Sequence, residues 1–157
     1  MDDAAGECFD KVARLLGFPY PGGPYIDRHA QHGDPHAIKV PQGLTQGRAG
    51  KEHPYDFSFS GVKTAIARWI EERQGSGQEI PVDDVCASLA GSVAQVLSRK
   101  SMRGCEQFDS TTLIVGGGFS ANSQLREALM EVGCNHGVDV RIPQIKLCTD
   151  NGAMVAM

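Results

Sequence analysis

No apolar run in the chain comes near the roughly 18 consecutive residues of a membrane span, and no secretory leader opens it. A cytoplasmic protein is the expectation. The five cysteines, Cys8, Cys86, Cys105, Cys134 and Cys148, contain no C-x-x-C pair. Odd in number and scattered, they exclude a disulfide frame and a thiolate zinc site, and suit reduced thiols. An excess of positive charge is missing too: 15 basic side chains face 19 acidic ones, for a net charge of −4. That excludes a surface dominated by attraction to nucleic acid, although a local basic patch can coexist with it. There is no internal repeat and no low-complexity tract. With 41% hydrophobic and 22% charged residues over 157 positions, the composition is that of one ordinary globular domain with a real core.

What is present is organised around Leu113–Asn122, LIVGGGFSAN. Leu113, Ile114 and Val115 are β-favouring and apolar, bounded by polar Ser110–Thr112 and by Gly116–Gly118, which predicts a buried strand ending in a glycine turn. Ser120–Ser123 then opens a helix with Leu125, Ala128, Leu129 and Val132 on one face and Gly133 as its stop. A strand, a glycine turn and a helix N-terminus let backbone approach a ligand, since glycine has no Cβ and first-turn N–H groups are unpaired. A plain tight turn with Asn122 as an ordinary N-cap, worth about 1 kcal/mol, accounts for the stretch equally well.

Along the chain, Asp2–Gly17 reads as a helix with Cys8, Val12, Leu15 and Leu16 on one face, ended by Gly17 and Pro19. Pro21–Gly22–Gly23–Pro24 is a second glycine turn, and Pro24 suits the first position of a short helix through Ile26 and Arg28. Lys39–Pro54 is loop-like, and Asp56–Ser60 alternates as a short edge strand. Val62–Glu72 is amphipathic, with Val62, Ile66, Trp69 and Ile70 inward; Gly75–Gly77 is a surface loop. Pro81 starts the longest helix, striped by Val85, Leu89, Val93, Val96 and Leu97. Val138–Ile142 is a strand closed by Pro143, and Thr149 caps a terminal helix.

Several side chains compete for chemistry. His32 and His36 have the spacing of a helical metal pair, but Gly33 and Pro35 break the helix that would align them, so with His29 they read as a solvated turn. Asp83–Asp84 meets a helix dipole, and Arg99, Lys100 and Arg103 face the opposite pole of the same helix. Asp10, Asp27 and Asp150 each lie by a glycine turn or a helix start, where a carboxylate can accept from ribose hydroxyls or hold a cation.

Five stretches occur in one order: DDAAGECFDKVARLLG, YPGGPYID, YDFSFSGVKT, VGGGFSANSQLR and LCTDNGAMVA. Together they resemble the tRNA threonylcarbamoyladenosine biosynthesis transferases, the TsaD family once described as glycoproteases. The resemblance covers nearly the whole chain. It implies an α/β fold similar to actin, sugar kinases and heat-shock ATPases (RNase H-like), with nucleotide held between two lobes. It implies transfer of threonylcarbamoyl from its adenylate to the adenine beside the anticodon of tRNAs reading codons that begin with A. On matching positions, Asp10 and Gly23 would contact an ATP- or AMP-type nucleotide or the adenylate, with Asp27 at the ribose. Asn122 would bind near base or sugar over the Gly117–Gly118 turn. Asp150 would ligate one divalent metal, iron-like or zinc or magnesium, and Glu7 resembles an acidic residue near the reaction centre. Partners implied are tRNA and accessory proteins of the same modification.

The family's two metal-binding histidines and its serine–glycine–glycine phosphate loop have no counterpart. The expectation is therefore a partial transferase over residues 1–157, mainly the C-terminal lobe, with a helical insertion around 60–105 and the first lobe absent. It would form half an active site and be inactive by itself. The alternative is a catalytically inactive nucleotide- or partner-binding fragment of the family; a sugar or acetate kinase leaves YDFSFSGVKT and CTDNGAM without a purpose.

Overall fold

The computed structural model describes residues 3–45 and 51–148. The first helix, α1 (Ala5–Leu15), buries Cys8, Phe9, Val12 and Ala13. It ends where Gly17 turns to φ +81° and the Phe18 N–H returns to the Ala13 carbonyl at 2.9 Å, a left-handed stop that glycine permits without strain. Cys8 and Val12 lie inward as expected, but Leu15 does not: it is 45% exposed. Phe9 and Ala13 complete the buried face in its place, one position round the helix.

Helix α2 (Gly23–Ala30) carries Pro24 in its first turn and buries Ile26 and Ala30. Helix α3 (Ser60–Gly75) buries Val62, Ile66 and Ile70 at intervals of four, with Trp69 half-buried beneath the Arg73 guanidinium. Helix α4 (Val82–Gln107) is the spine. It packs against α2 and also against α5 (Ser123–His136). Two neighbours demand a wider apolar face than one stripe, and Cys86, Ala87 and Ala90 join Val85, Leu89, Val93 and Val96 in the interior. The main core gathers α1 to α4; Leu97 and Phe119 lie between it and a smaller cluster around Ala94, Leu125 and Leu129.

That smaller cluster supports a parallel pair of strands, β1 (Thr112–Ile114) and β2 (Asp139–Arg141), in register Thr112↔Asp139, Leu113↔Val140, Ile114↔Arg141. Helix α5 is the crossover that parallel strands require. The architecture is therefore mixed α/β, mostly helical with a small parallel sheet.

Several expectations change. Strand β1 is not buried: Leu113 and Val140 meet α5, while Ile114 is 78% exposed on the uncovered face. Gly133 does not stop α5, which runs on to His136 and ends at Gly137 with φ +67°. Gly133 is instead a close approach, since a Cβ there would fall 2.3 Å from Cγ2 of Val140. Asp56–Ser60 is not a strand. Its neighbours offer no ladder: Lys100 of α4 donates to the carbonyls of His53 and Asp56, and the Ser58 carbonyl abuts Gly43. Lys100 is thus only 7% exposed, a tether and not a solvated dipole partner. Burial holds its pKa below the usual lysine value, opposed by Asp56 and reinforced by Arg103. Thr149 lies outside the described residues.

Candidate functional site

A cavity of about 680 Å³ opens where α1, α2 and the N-terminal end of α5 converge. It is lined by Asp10 from α1, Gly23 and Asp27 from α2, and Gly118 and Asn122 from the glycine turn. Its apolar wall is an edge-to-face pair, Phe9 and Phe119, with ring centroids 4.7 Å apart. Residues over a hundred positions apart in sequence therefore face one space.

Asp10, Asp27 and Asn122 each have a structural duty there. Asp10 Oδ1 accepts the Gly22 N–H at 2.7 Å, fixing the second glycine turn on α1. Gly22 must be glycine, since a Cβ would come within 2.3 Å of the Ala13 Cβ. A Cβ on Gly23 would meet nothing within 4 Å. Protein packing does not account for Gly23, and the open cavity beside it does.

Asp27 Oδ1 accepts three hydrogen bonds: Asn122 Nδ2 at 2.9 Å, and the Ser123 N–H and Oγ each at 2.8 Å. Asn122 Oδ1 in turn accepts the Leu125 N–H at 2.9 Å. Asn122 is thus the N-cap that its sequence context allows, while Asp27 places a carboxylate at the helix N-terminus, where the dipole favours it. A nucleotide would meet first-turn N–H groups already engaged by these two side chains. What these two side chains leave for a ligand is the second oxygen of Asp27 and the unshared N–H of Asn122. In the sequence Ser123 reads only as part of the helix start and not as a partner of Asp27; a serine directly after an N-cap is common and carries no distinctive signal.

Other expected residues lie apart. Gly117 does not line the cavity; at φ +90° it starts the short 3-10 turn Gly118–Ala121, and its carbonyl accepts both the Ser120 N–H and Oγ. Glu7 lies in a neighbouring hollow of about 480 Å³ that shares only Asp10 with the first. It pairs with Lys11 at 2.8 Å. Hydrogen bonds to Asp3 and then Glu7 hold the exposed Lys11 ammonium above its usual pKa.

Asp150, the expected metal ligand, lies outside the described residues. Among the described residues, no three His, Cys, Asp or Glu side chains converge to hold a metal ion. His32 and His36 follow the end of α2 on a turn in which Asp34 Oδ1 accepts the His36 N–H. His29 is tied by Nδ1 to Asp83 Oδ1 at 2.6 Å and stacked on Phe18. Asp83 and Asp84 therefore do more than meet a dipole, since Asp84 accepts the Asp34 N–H at 2.9 Å. The described residues do not by themselves fit a metal.

Residues 1–157 match the family model described as tRNA N6-adenosine threonylcarbamoyltransferase. The chain is 83% identical to the protein of that name from Bifidobacterium adolescentis and 82% identical to that from Bifidobacterium longum, over all of its own length. It is 48% identical to the Corynebacterium diphtheriae protein over 99% of its length. In each case it spans 45% of the relative.

Proposed function

Because the chain belongs to the tRNA N6-adenosine threonylcarbamoyltransferase family, we propose that it supplies the nucleotide-binding side of that enzyme's active site. The observation that carries this reading is the convergence of Asp10, Gly23, Asp27, Gly118 and Asn122 on one cavity. In the larger protein this segment forms most of a C-terminal actin-like, RNase H-like lobe, with residues 60–105 as its helical insertion.

The reaction moves a threonylcarbamoyl group from its adenylate to tRNA. The exocyclic amine of the target adenine forms a bond to the activated carbonyl and gives up a proton to the medium, the bond to phosphate oxygen breaks, and AMP leaves with the electron pair. This chain's residues bind and orient. Gly23 leaves space for the nucleoside, Asp27 offers its second oxygen to a ribose hydroxyl, and Phe9 with Phe119 excludes water from one side. Asp10, locked by the Gly22 N–H, presents its other oxygen at a fixed angle. Such fixed placement of reacting groups is itself a source of rate.

The metal belongs to the proposal only through Asp150 and ligands supplied from elsewhere, and no step is routed through it. tRNA and accessory proteins are the partners, and the cytoplasm the location. Among the described residues, no helix is long and apolar enough to cross a membrane. A second reading, nucleotide binding without catalysis, is favoured for the chain by itself because it spans 45% of its relatives.

Calorimetric titration with AMP and with ATP tests the assignment. Gly23→Val adds a branched side chain whose Cβ meets no protein atom within 4 Å, so binding should be lost while the melting temperature holds. Unchanged affinity in a folded variant would overturn it. Exchanging this segment into the Bifidobacterium adolescentis relative should preserve transfer to tRNA, and Asp10→Ala in that exchange should abolish it.

A further inference from the structure

The Arg126 side chain stands on α5, one turn beyond Asn122, and does not line the cavity. Its Nη1 donates to the Ser120 carbonyl at 2.8 Å, and its Nη2 donates to the Pro143 carbonyl at 2.8 Å. Ser120 belongs to the 3-10 turn that carries Gly118, Phe119 and Ala121 to the cavity wall. Pro143 precedes the short turn Ile145–Leu147, whose Ile145 lines the same cavity from the other side. One guanidinium thus spans two of the backbone segments that line the cavity. The buried Cys148 seals the joint: its Sγ lies 3.9 Å from Nη1, and 3.8 and 3.5 Å from the carbonyls of Pro143 and Gln144.

Two forked donors reaching two carbonyls fix both the separation and the angle of what they join. An ammonium cannot reproduce this, because it is a point charge without the planar fork. The arrangement is not needed to hold α5 in place, which Asp27, Asn122 and the apolar contacts of Leu125 and Leu129 already do. What depends on Arg126 is the glycine turn relative to the segment after β2.

We propose that Arg126 is a positioning residue for nucleotide binding, holding the Gly118–Ala121 turn and the Pro143–Cys148 segment at the spacing the cavity needs. The proposal rests on the nucleotide reading of the cavity, but part of its test does not. In Arg126→Ala, nucleotide affinity falls by ten-fold or more, while the melting temperature shifts by only a few degrees. Arg126→Lys does not restore affinity, and added guanidinium ion at millimolar concentration does so in part. Independently, the Cys148 thiol, closed off in the parent chain, becomes reactive to iodoacetamide in Arg126→Ala. Peptide mapping separates it from the exposed Cys134.

If Arg126→Ala is folded, binds AMP like the parent and leaves Cys148 unreactive, the proposal is overturned. If Arg126→Lys equals the parent in both readouts, the forked geometry is irrelevant and the proposal fails. A parent chain that binds neither AMP nor ATP overturns the nucleotide reading instead. Cys148 labelling then still reports whether Arg126 holds the two segments together.

Discussion

The two ends of this molecule differ in how far they close on themselves. The helical part, α1 to α4, surrounds its core: Cys8, Phe9, Val12, Ile26, Val85 and Leu89 are wholly or almost wholly inaccessible. The α/β part is closed on one side only, with Leu113 and Val140 against α5 and Ile114 in water. Parallel sheets are as a rule covered on both faces. The helical part therefore behaves as a finished core, and the strand pair as one half of a layer. The cavity lies on the seam between them, bridged by the Phe9–Phe119 contact and by Asp27.

The largest way to break this contrast is to hollow the finished side. Phe9 is 1% exposed and also supplies the aromatic bridge. Phe9→Ala should cost about 3–5 kcal/mol, the usual range for a buried phenylalanine truncation. Leu113→Ala, in the half-closed part, should cost clearly less. Urea melts of both variants compare them directly, and equal losses would mean that the two parts close equally well.

Alkaline pH sharpens the contrast by a second route. Burial pushes the Cys8 thiol up to about 12, with a further rise from Asp3, and burial likewise takes Cys86 to about 12, with Asp83 adding to it. Both residues belong to the helical core. In the unfolded chain these thiols ionise near the ordinary value of 9.0. The folded state therefore holds protons that the unfolded state releases. Stability from these groups is complete below pH 9.0 and is lost as pH rises toward about 12. At pH 10 the loss is about 1.4 kcal/mol per thiol. Cys8→Ala should flatten the fall between pH 8 and 10 by about half, read from urea midpoints. An unaltered slope would place the alkaline weakness elsewhere.

The glycine turns show how much of this was legible in sequence. Helix periodicity found α1, α3, α4 and α5, because each buries a stripe against another helix within the chain, and apolar spacing records that directly; α2 is read from Pro24 after a glycine turn. The resemblance named Asp10, Gly23, Asp27, Gly118 and Asn122, which the fold gathers at one cavity, and it also named Gly117 and Glu7, which lie outside it. What spacing could not record is which surface a neighbour leaves open. LIV reads the same whether one face is covered or two, so Ile114 was misjudged. Nor does DFSFS reveal that a lysine more than 40 residues away takes its Asp56 carbonyl. Gly133 looked like a stop because a glycine near a helix end has two uses, and only the proximity of Val140 decides between them. In PGG, likewise, both glycines look alike. Gly22→Ala should cost about 1–3 kcal/mol through overpacking on Ala13. Gly23→Ala, open on all sides, should keep or slightly raise thermal stability. The reverse order of melting temperatures would show that the turn is packed differently.

The smallest expected effect bears most directly on the half-open layer. At 78% exposure Ile114 has little apolar area to lose, and its chain neighbours Leu113 and Val115 keep their contacts to the α5 cluster. Threonine retains the β-branch that suits a strand. Ile114→Thr should therefore change stability by no more than about 0.5 kcal/mol, as substitutions on an open surface do. The measurement is best made at two protein concentrations. If this face meets nothing, the small change is the same at both. Should Ile114→Thr instead lose 1 kcal/mol or more, and lose it more steeply at high concentration, the face is being covered by a second copy of the chain. The contrast between a finished core and a half-built layer would then describe the isolated chain alone, and the dimer would restore the second cover that a parallel sheet requires.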